Sequence, residues 1–265
     1  MLYKNIQIDA NVVMNCYISG QKEPLRPAMI VLPGGGYSNI CADREGDPIA
    51  LAFLSRGFNT FVLNYTVAPI DDPYKPLTDL SQAIAYIRTH SEELGINKER
   101  VFTVGFSAGA HLAAMLAGKW NDKTLAEKTK LPYGINRPTG AVLCYPVISC
   151  DLQNEERVFR SLLGTHSEDK EWRDKFSAEK AVNKDSVPAF LVHTMTDETV
   201  PVKNSLIFAE MMAKYNLLCE VHIYPKGPHG MALANSDTSL GREDLTDSAY
   251  ARWVDDACVF MQRIL

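Results

Sequence analysis

The sequence predicts an α/β protein: a mostly parallel, twisted sheet of about eight strands with helices on both faces. Two observations carry this. Short apolar, β-branched runs at 28–33, 59–65, 101–106, 141–145, 188–193 and 220–224 alternate with segments whose apolar residues recur at helical spacing. Ahead of them, the runs 6–9 and 12–18 have no helical segment between them, which predicts an antiparallel pair at the sheet edge. A chain of 265 residues, 46% hydrophobic and 22% charged, suits one domain of this kind.

Each element follows from local composition. Residues 28–33 are continuously apolar, as in a strand covered on both faces, and Gly34-Gly35-Gly36-Tyr37 follows at once. Residues 43–47 read as a charged loop. Pro48 is suited to open a helix that runs to about Arg56 and stops at Gly57. Leu77, Leu80, Ile84, Ile87 and Leu94 mark a helix over 77–94, with Gly95 as its stop. The stretch 121–138 reads as irregular. From 147 to 187 the pattern weakens to one short helix, 155–163, and a charged stretch, 166–175. About 40 residues are too few for a separate core, so this is expected to be an insertion over one end of the sheet. Helices are expected at 201–215 and 249–264.

Composition excludes several classes. A net charge of −5 with no basic run gives no electrostatic case for nucleic acid. No apolar run approaches the length that spans a bilayer, and residues 1–9 lack the pattern of a signal peptide. The six cysteines are widely spaced without a C-x-x-C pair, which fits a reduced, cytoplasmic protein. No cluster has metal-ligand spacing, so neither metal nor cofactor is expected.

The chemistry centres on Gly105-Phe106-Ser107-Ala108-Gly109, a G-x-S-x-G between a strand run and an Ala/Leu/Met-rich helical run. Such a turn forces the serine into a strained conformation and projects its hydroxyl from the sheet edge. A plain Gly/Ser turn is the bland alternative. A serine nucleophile needs a histidine base, and the base needs an acid. Among six histidines, His193 and His222 lie in strand runs, His90 is on a helix, and His111 lies along the serine's own helix. His166 falls in the insertion and is suited to line a pocket. His229 remains, in a loop after a strand, bracketed by Pro228 and Gly230. The acid is expected at Asp197, with Glu198 as the alternative; Thr199 is suited to cap the helix that follows. The N–H of Ala108 is a natural oxyanion donor, and further donors are expected from the loop 33–37. A phosphate-binding reading of that loop lacks both G-x-G-x-x-G and the G-K-[ST] ending.

On these residues the chain resembles the α/β-hydrolase superfamily. Within it the chain is similar to compact bacterial esterases and acetyl-xylan-type esterases related to the hormone-sensitive-lipase group. Pro33-Gly-Gly-Gly-Tyr37, residues 44–54, Gly105–Gly109, Thr196-Asp197 before Val200-Pro201, and Gly227-Pro-His-Gly230 carry the likeness over nearly the whole chain. The resemblance implies an α/β-hydrolase fold, in which the segment 147–187 would be a small cap-like insertion. It implies Gly35 and Gly36 as oxyanion donors beside Ala108. The expected activity is a serine carboxylic-ester hydrolase; the short insertion suggests a partly open pocket and hence small acyl groups such as acetyl, and with the resemblance acetylated sugars or oligosaccharides are the first candidates. Tyr37 and Tyr65, at strand ends, are candidates to line the pocket. One departure stands out: Pro33 replaces the histidine of the lipase-like H-G-G-G pattern, so the loop must be anchored differently. Expected partners are a small-molecule ester and, in a homodimer, a second copy of the chain, with neither nucleic acid nor membrane. The rivals are a prolyl-oligopeptidase-type peptidase, which usually carries a large extra domain, and a catalytically silent ligand-binding relative, which typically lacks a triad member.

Overall fold

The runs read as strands form one sheet in the computed structural model, which describes residues 1–21, 23–152 and 156–265. They are β1 Leu2–Asp9, β2 Val12–Ile18, β3 Arg26–Leu32, β4 Asn59–Asn64, β5 Ile96–Phe106, β6 Gly140–Cys144, β7 Ala189–Thr194 and β8 Cys219–Tyr224. The order across the sheet is β1-β2-β4-β3-β5-β6-β7-β8. β1 and β2 are antiparallel, as are β2 and β4, and the remaining pairs are parallel. The antiparallel edge is thus the one expected from two strands with no helix between them.

Eleven helices are described: α1 Ala42–Glu45, α2 Asp47–Leu54, α3 Lys75–Thr89, α4 Ser91–Leu94, α5 Ala108–Lys119, α6 Lys123–Thr129, α7 Glu156–Leu163, α8 Lys170–Lys175, α9 Ala178–Ala181, α10 Lys203–Lys214 and α11 Trp253–Arg263. Alternation along the strands explains how they are held. Ala28, Ile30 and Leu32 of β3 join one core with Leu80 and Ile84 of α3, Leu112 of α5 and Phe208 of α10. Met29 and Val31 point the other way, into a second core with Ile49 and Phe53 of α2 and Trp253 and Phe260 of α11. A strand buried on both faces therefore carries no polar alternation, which is why these runs look continuously apolar in sequence.

Three local readings change. Residues 43–47, read as loop, hold most of the short helix α1 and the first residue of α2. The stretch 121–138 includes α6, whose first turn is capped by Asp122 accepting from Leu125 N–H at 2.9 Å. The helix 77–94 is two helices that break at His90, and Gly95 ends the second with a left-handed φ of 63°. The segment between β6 and β7 holds α7, α8 and α9. The expected first residue of α7, Glu155, lies outside the described residues. No helix among the described residues is long and apolar enough to cross a membrane, and the six cysteines are unpaired.

Candidate active site

Ser107 sits between β5 and α5 at φ 53°, ψ −116°, a conformation that L-residues rarely adopt. The turn holds because two glycines let its limbs close up. A Cβ on Gly105 would lie 2.3 Å from the Gly109 carbonyl oxygen. One on Gly109 would lie 2.1 Å from the Leu32 carbonyl oxygen at the end of β3. Ser107 N–H donates to Cys144 O at 3.0 Å, which ties the turn to β6.

His229 and Asp197 meet the serine from two other loops. The Ser107 hydroxyl lies 3.0 Å from His229 Nε2, and His229 Nδ1 lies 2.7 Å from Asp197 Oδ2. An Nδ1–H donating to the carboxylate leaves Nε2 free to accept the serine proton. Asp197 Oδ1 accepts from the N–H groups of Thr199 and Val200 at 3.0 and 2.9 Å. The Asp197 carboxylate, not Thr199, therefore satisfies these loop donors. Burial alone would raise the Asp197 carboxyl, but hydrogen bonds from His193 and His229 outweigh it and hold the group well below the usual carboxylate range. Glu198, the alternative acid, points into solvent.

The glycine loop meets the serine from β3. Gly34 is wedged: a Cβ there would lie 2.7 Å from Glu45 Oε2 and 3.1 Å from Ser107 Cβ. The loop is anchored at Pro33 O by the Tyr65 hydroxyl, 2.6 Å, and at Gly34 N–H by Glu45 Oε2, 2.8 Å. Among the described residues, the N–H groups of Gly35, Gly36 and Ala108 have no internal acceptor. A cavity of about 360 Å³ opens over Ser107 and His229, walled by Gly35, Gly36, Arg44, Arg157, Val158 and Thr199. The nucleophile, base, acid and glycine loop expected from sequence are thus brought together.

The three residues expected to line the pocket are not among its walls. Tyr37 is buried, with its hydroxyl bonded to His111 Nδ1 at 2.9 Å. Tyr65 is buried and spends its hydroxyl on Pro33. The two rings pack edge to face in the core, with centroids 5.9 Å apart, instead of turning to the cavity. His166 stacks on Trp172 with centroids 4.5 Å apart. His111, set aside as base, is buried, donates from Nε2 to Phe176 O, and is pushed down to about 4 by burial. His222 bonds Glu220 on β8.

Sequence reasoning missed four residues. His193, read as a packed strand residue, places Nε2 3.3 Å from Asp197 Oδ2 and 2.9 Å from Val200 O, while Ser205 meets its Nδ1. Its position four residues before the acid was the available signal. Glu45 and Arg44 lie on α1, inside a segment read as loop, and Arg157 lies on the insertion.

This sheet, with a serine on the strand-to-helix turn and acid and histidine on later loops, is the α/β-hydrolase architecture of carboxylesterase- and acetylesterase-type hydrolases. The chain belongs to the BD-FAE family, whose model matches residues 14–212. It is 35% identical over 223 residues to endo-1,4-beta-xylanase B of Butyrivibrio fibrisolvens, covering 82% of this chain and 34% of that protein. It is 30% identical over 234 residues to an acetylxylan esterase of Xylanibacter ruminicola, covering 85% and 45%. This chain therefore spans less than half the length of either relative. Among solved structures, it is similar to an acetyl ester-xyloside bifunctional hydrolase from Caldicellulosiruptor lactoaceticus, with a TM-score of 0.83, 32% identity and coverage of 98% and 96%.

Proposed function

We propose that this chain is a serine esterase that removes small acyl groups, acetyl first among them, from sugars or oligosaccharides of the acetylated-xylan class. The observation that carries the reading is the hydrogen-bonded series Ser107, His229, Asp197 beside three free backbone N–H groups. Ser107 Oγ attacks the ester carbonyl as His229 Nε2 takes its proton. Asp197 holds the Nδ1–H tautomer and stabilises the imidazolium. Gly35, Gly36 and Ala108 donate to the tetrahedral oxyanion, where one such donor contributes on the order of 10²- to 10³-fold in rate. His229 then protonates the leaving alkoxide. Water, activated by the same imidazole, releases the acid and regenerates the serine.

Two observations support a small acyl group on a polyhydroxylated carrier. The cavity over the serine, about 360 Å³, is small, with Val158 of α7 above the glycine loop. A second cavity of about 560 Å³ also borders His229, and Thr196, Glu198, Lys226, Asp244 and Asp247 among its walls are suited to sugar hydroxyls. The names of the acetylxylan esterase and acetyl ester-xyloside hydrolase relatives point the same way.

The test compares p-nitrophenyl acetate, a long-chain ester, a prolyl amide and an acetylated xylo-oligosaccharide, beside Ser107→Ala. Acetate release from the oligosaccharide that the variant abolishes is the expected result. Turnover of the prolyl amide alone would replace this reading with a peptidase.

A further inference from the structure

Glu45 is a buried carboxylate at the edge of the cavity over Ser107, outside the Ser107–His229–Asp197 series. Both its oxygens are used. Oε2 accepts from Gly34 N–H at 2.8 Å, and Oε1 accepts from the Tyr145 hydroxyl at 2.8 Å. The same hydroxyl accepts from Ala232 N–H at 3.1 Å, three residues beyond His229. The Tyr145 ring also meets the His229 ring edge to face, with centroids 5.0 Å apart. Next to Glu45 on the same four-residue helix, Arg44 donates to Gly230 O and, at 2.8 Å, to Thr238 O. One short helix thus touches the glycine loop and the histidine loop together.

Burial pushes the Glu45 carboxyl up, and the hydrogen bonds from Tyr145 and Gly34 oppose it; the charged form is the one that matches both donors. A carboxylate with no proton accepts from both Gly34 N–H and Tyr145 O–H; an amide or a protonated acid accepts only one and turns a donor on the other. Burial and the nearby Glu45 carboxylate push the Tyr145 phenol well above its ordinary value, so it remains a donor at neutral pH. Tyr145 itself holds φ 38°, a conformation that aims its ring from the end of β6.

We infer that Glu45 and Tyr145 are positioning residues that hold the oxyanion loop and the histidine loop in register across Ser107. The role rests on the esterase reading. It predicts loss in the transition state, not in substrate binding, because displacing the donors or the imidazole by a fraction of an ångström leaves the cavity open while misaligning the reacting atoms.

The experiment uses Glu45→Gln, Tyr145→Phe and the double variant. Active serine is titrated with a fluorophosphonate, so that turnover is counted per folded site. kcat and KM are measured on p-nitrophenyl acetate, and affinity is measured for a trifluoromethyl ketone that adds to the serine as an oxyanion. The expected result is a kcat lower by about 10- to 100-fold with KM changed less than about 3-fold. Ketone affinity should fall by the same factor as kcat/KM, and the double variant should be no worse than the poorer single within about 3-fold, as for one shared network. Turnover per site within about 2-fold of wild type in both singles overturns the inference. So does an unchanged ketone affinity, or losses that multiply in the double variant. A wild type that reacts with neither probe nor ester removes the esterase reading and this inference with it; an active wild type with unaffected variants removes this inference alone.

Discussion

Ser107 and His229 lie 3.0 Å apart but are held there by different kinds of structure. The serine is placed by its own backbone. Five consecutive residues, a strained φ and two glycine contacts under 3 Å define where its hydroxyl points. The histidine is placed by its surroundings. Its loop follows β8 without regular structure, and groups from distant segments hold it: Asp197 on the ring, Tyr145 against its face and at Ala232, Arg44 at Gly230 and Thr194 at Gly227. A site can thus have one member set locally and another set only by tertiary contacts, and the two should fail differently when altered.

Changes at the serine should be the most severe. Ser107→Ala should lower kcat on p-nitrophenyl acetate by on the order of 10⁴-fold or more without loss of thermal stability; retention of more than a tenth of wild-type turnover would falsify the assignment. Next comes the support of the base. Asp197→Asn should cost about 10³- to 10⁴-fold in kcat, since it removes the tautomer preference while leaving the shape. Gly109→Ala tests the local half of the comparison. Its Cβ meets the Leu32 carbonyl at 2.1 Å, so the expected outcome is a stability loss of about 1–3 kcal/mol in urea titration together with reduced activity.

A gentler test uses the buried histidine on the serine's own helix. His111 is buried and held at about 4, below its ordinary 6.5. A depressed histidine leaves the unfolded chain holding more protons between those values, so stability falls as pH drops from about 6.5 toward 4, by about 3 kcal/mol in all. His111→Gln can keep both hydrogen bonds and removes the titration. Its urea midpoint should lose less between pH 7 and pH 4.5 than the wild type's, and parallel losses would show that His111 does not carry the effect. Glu198→Gln is the smallest change: kcat on p-nitrophenyl acetate should stay within about 2-fold, because the side chain is exposed and bonds nothing at the site.

Legibility followed the range of the forces. The strands were readable because each buries both faces and so carries an unbroken apolar run. Ser107 was readable because its strain is encoded in the five residues Gly105 to Gly109. His229 was reached by elimination, because the other histidines sat in elements or segments with another role, and Asp197 by its place nearer the strand end. Glu45 was not readable. A charged residue among Asp43, Arg44 and Asp47 looks like surface, and only the pairing of Gly34 N–H with Tyr145 O–H makes its burial favourable. Tyr37 and Tyr65 were misjudged for the converse reason: a strand end marks where a side chain starts, not which way it packs.

The amino-acid order by itself determined the alternation of buried strands and helices, the strand-to-helix turn at Ser107 and the chain order of Ser107, Asp197 and His229. These depend on spacing, composition and local sterics. Tertiary structure alone decided how the glycine loop is anchored, that Tyr37 and Tyr65 turn away from the cavity, and what holds the histidine loop in place. Those outcomes depend on which donors and acceptors meet across the fold, and residues far apart in the chain supply them.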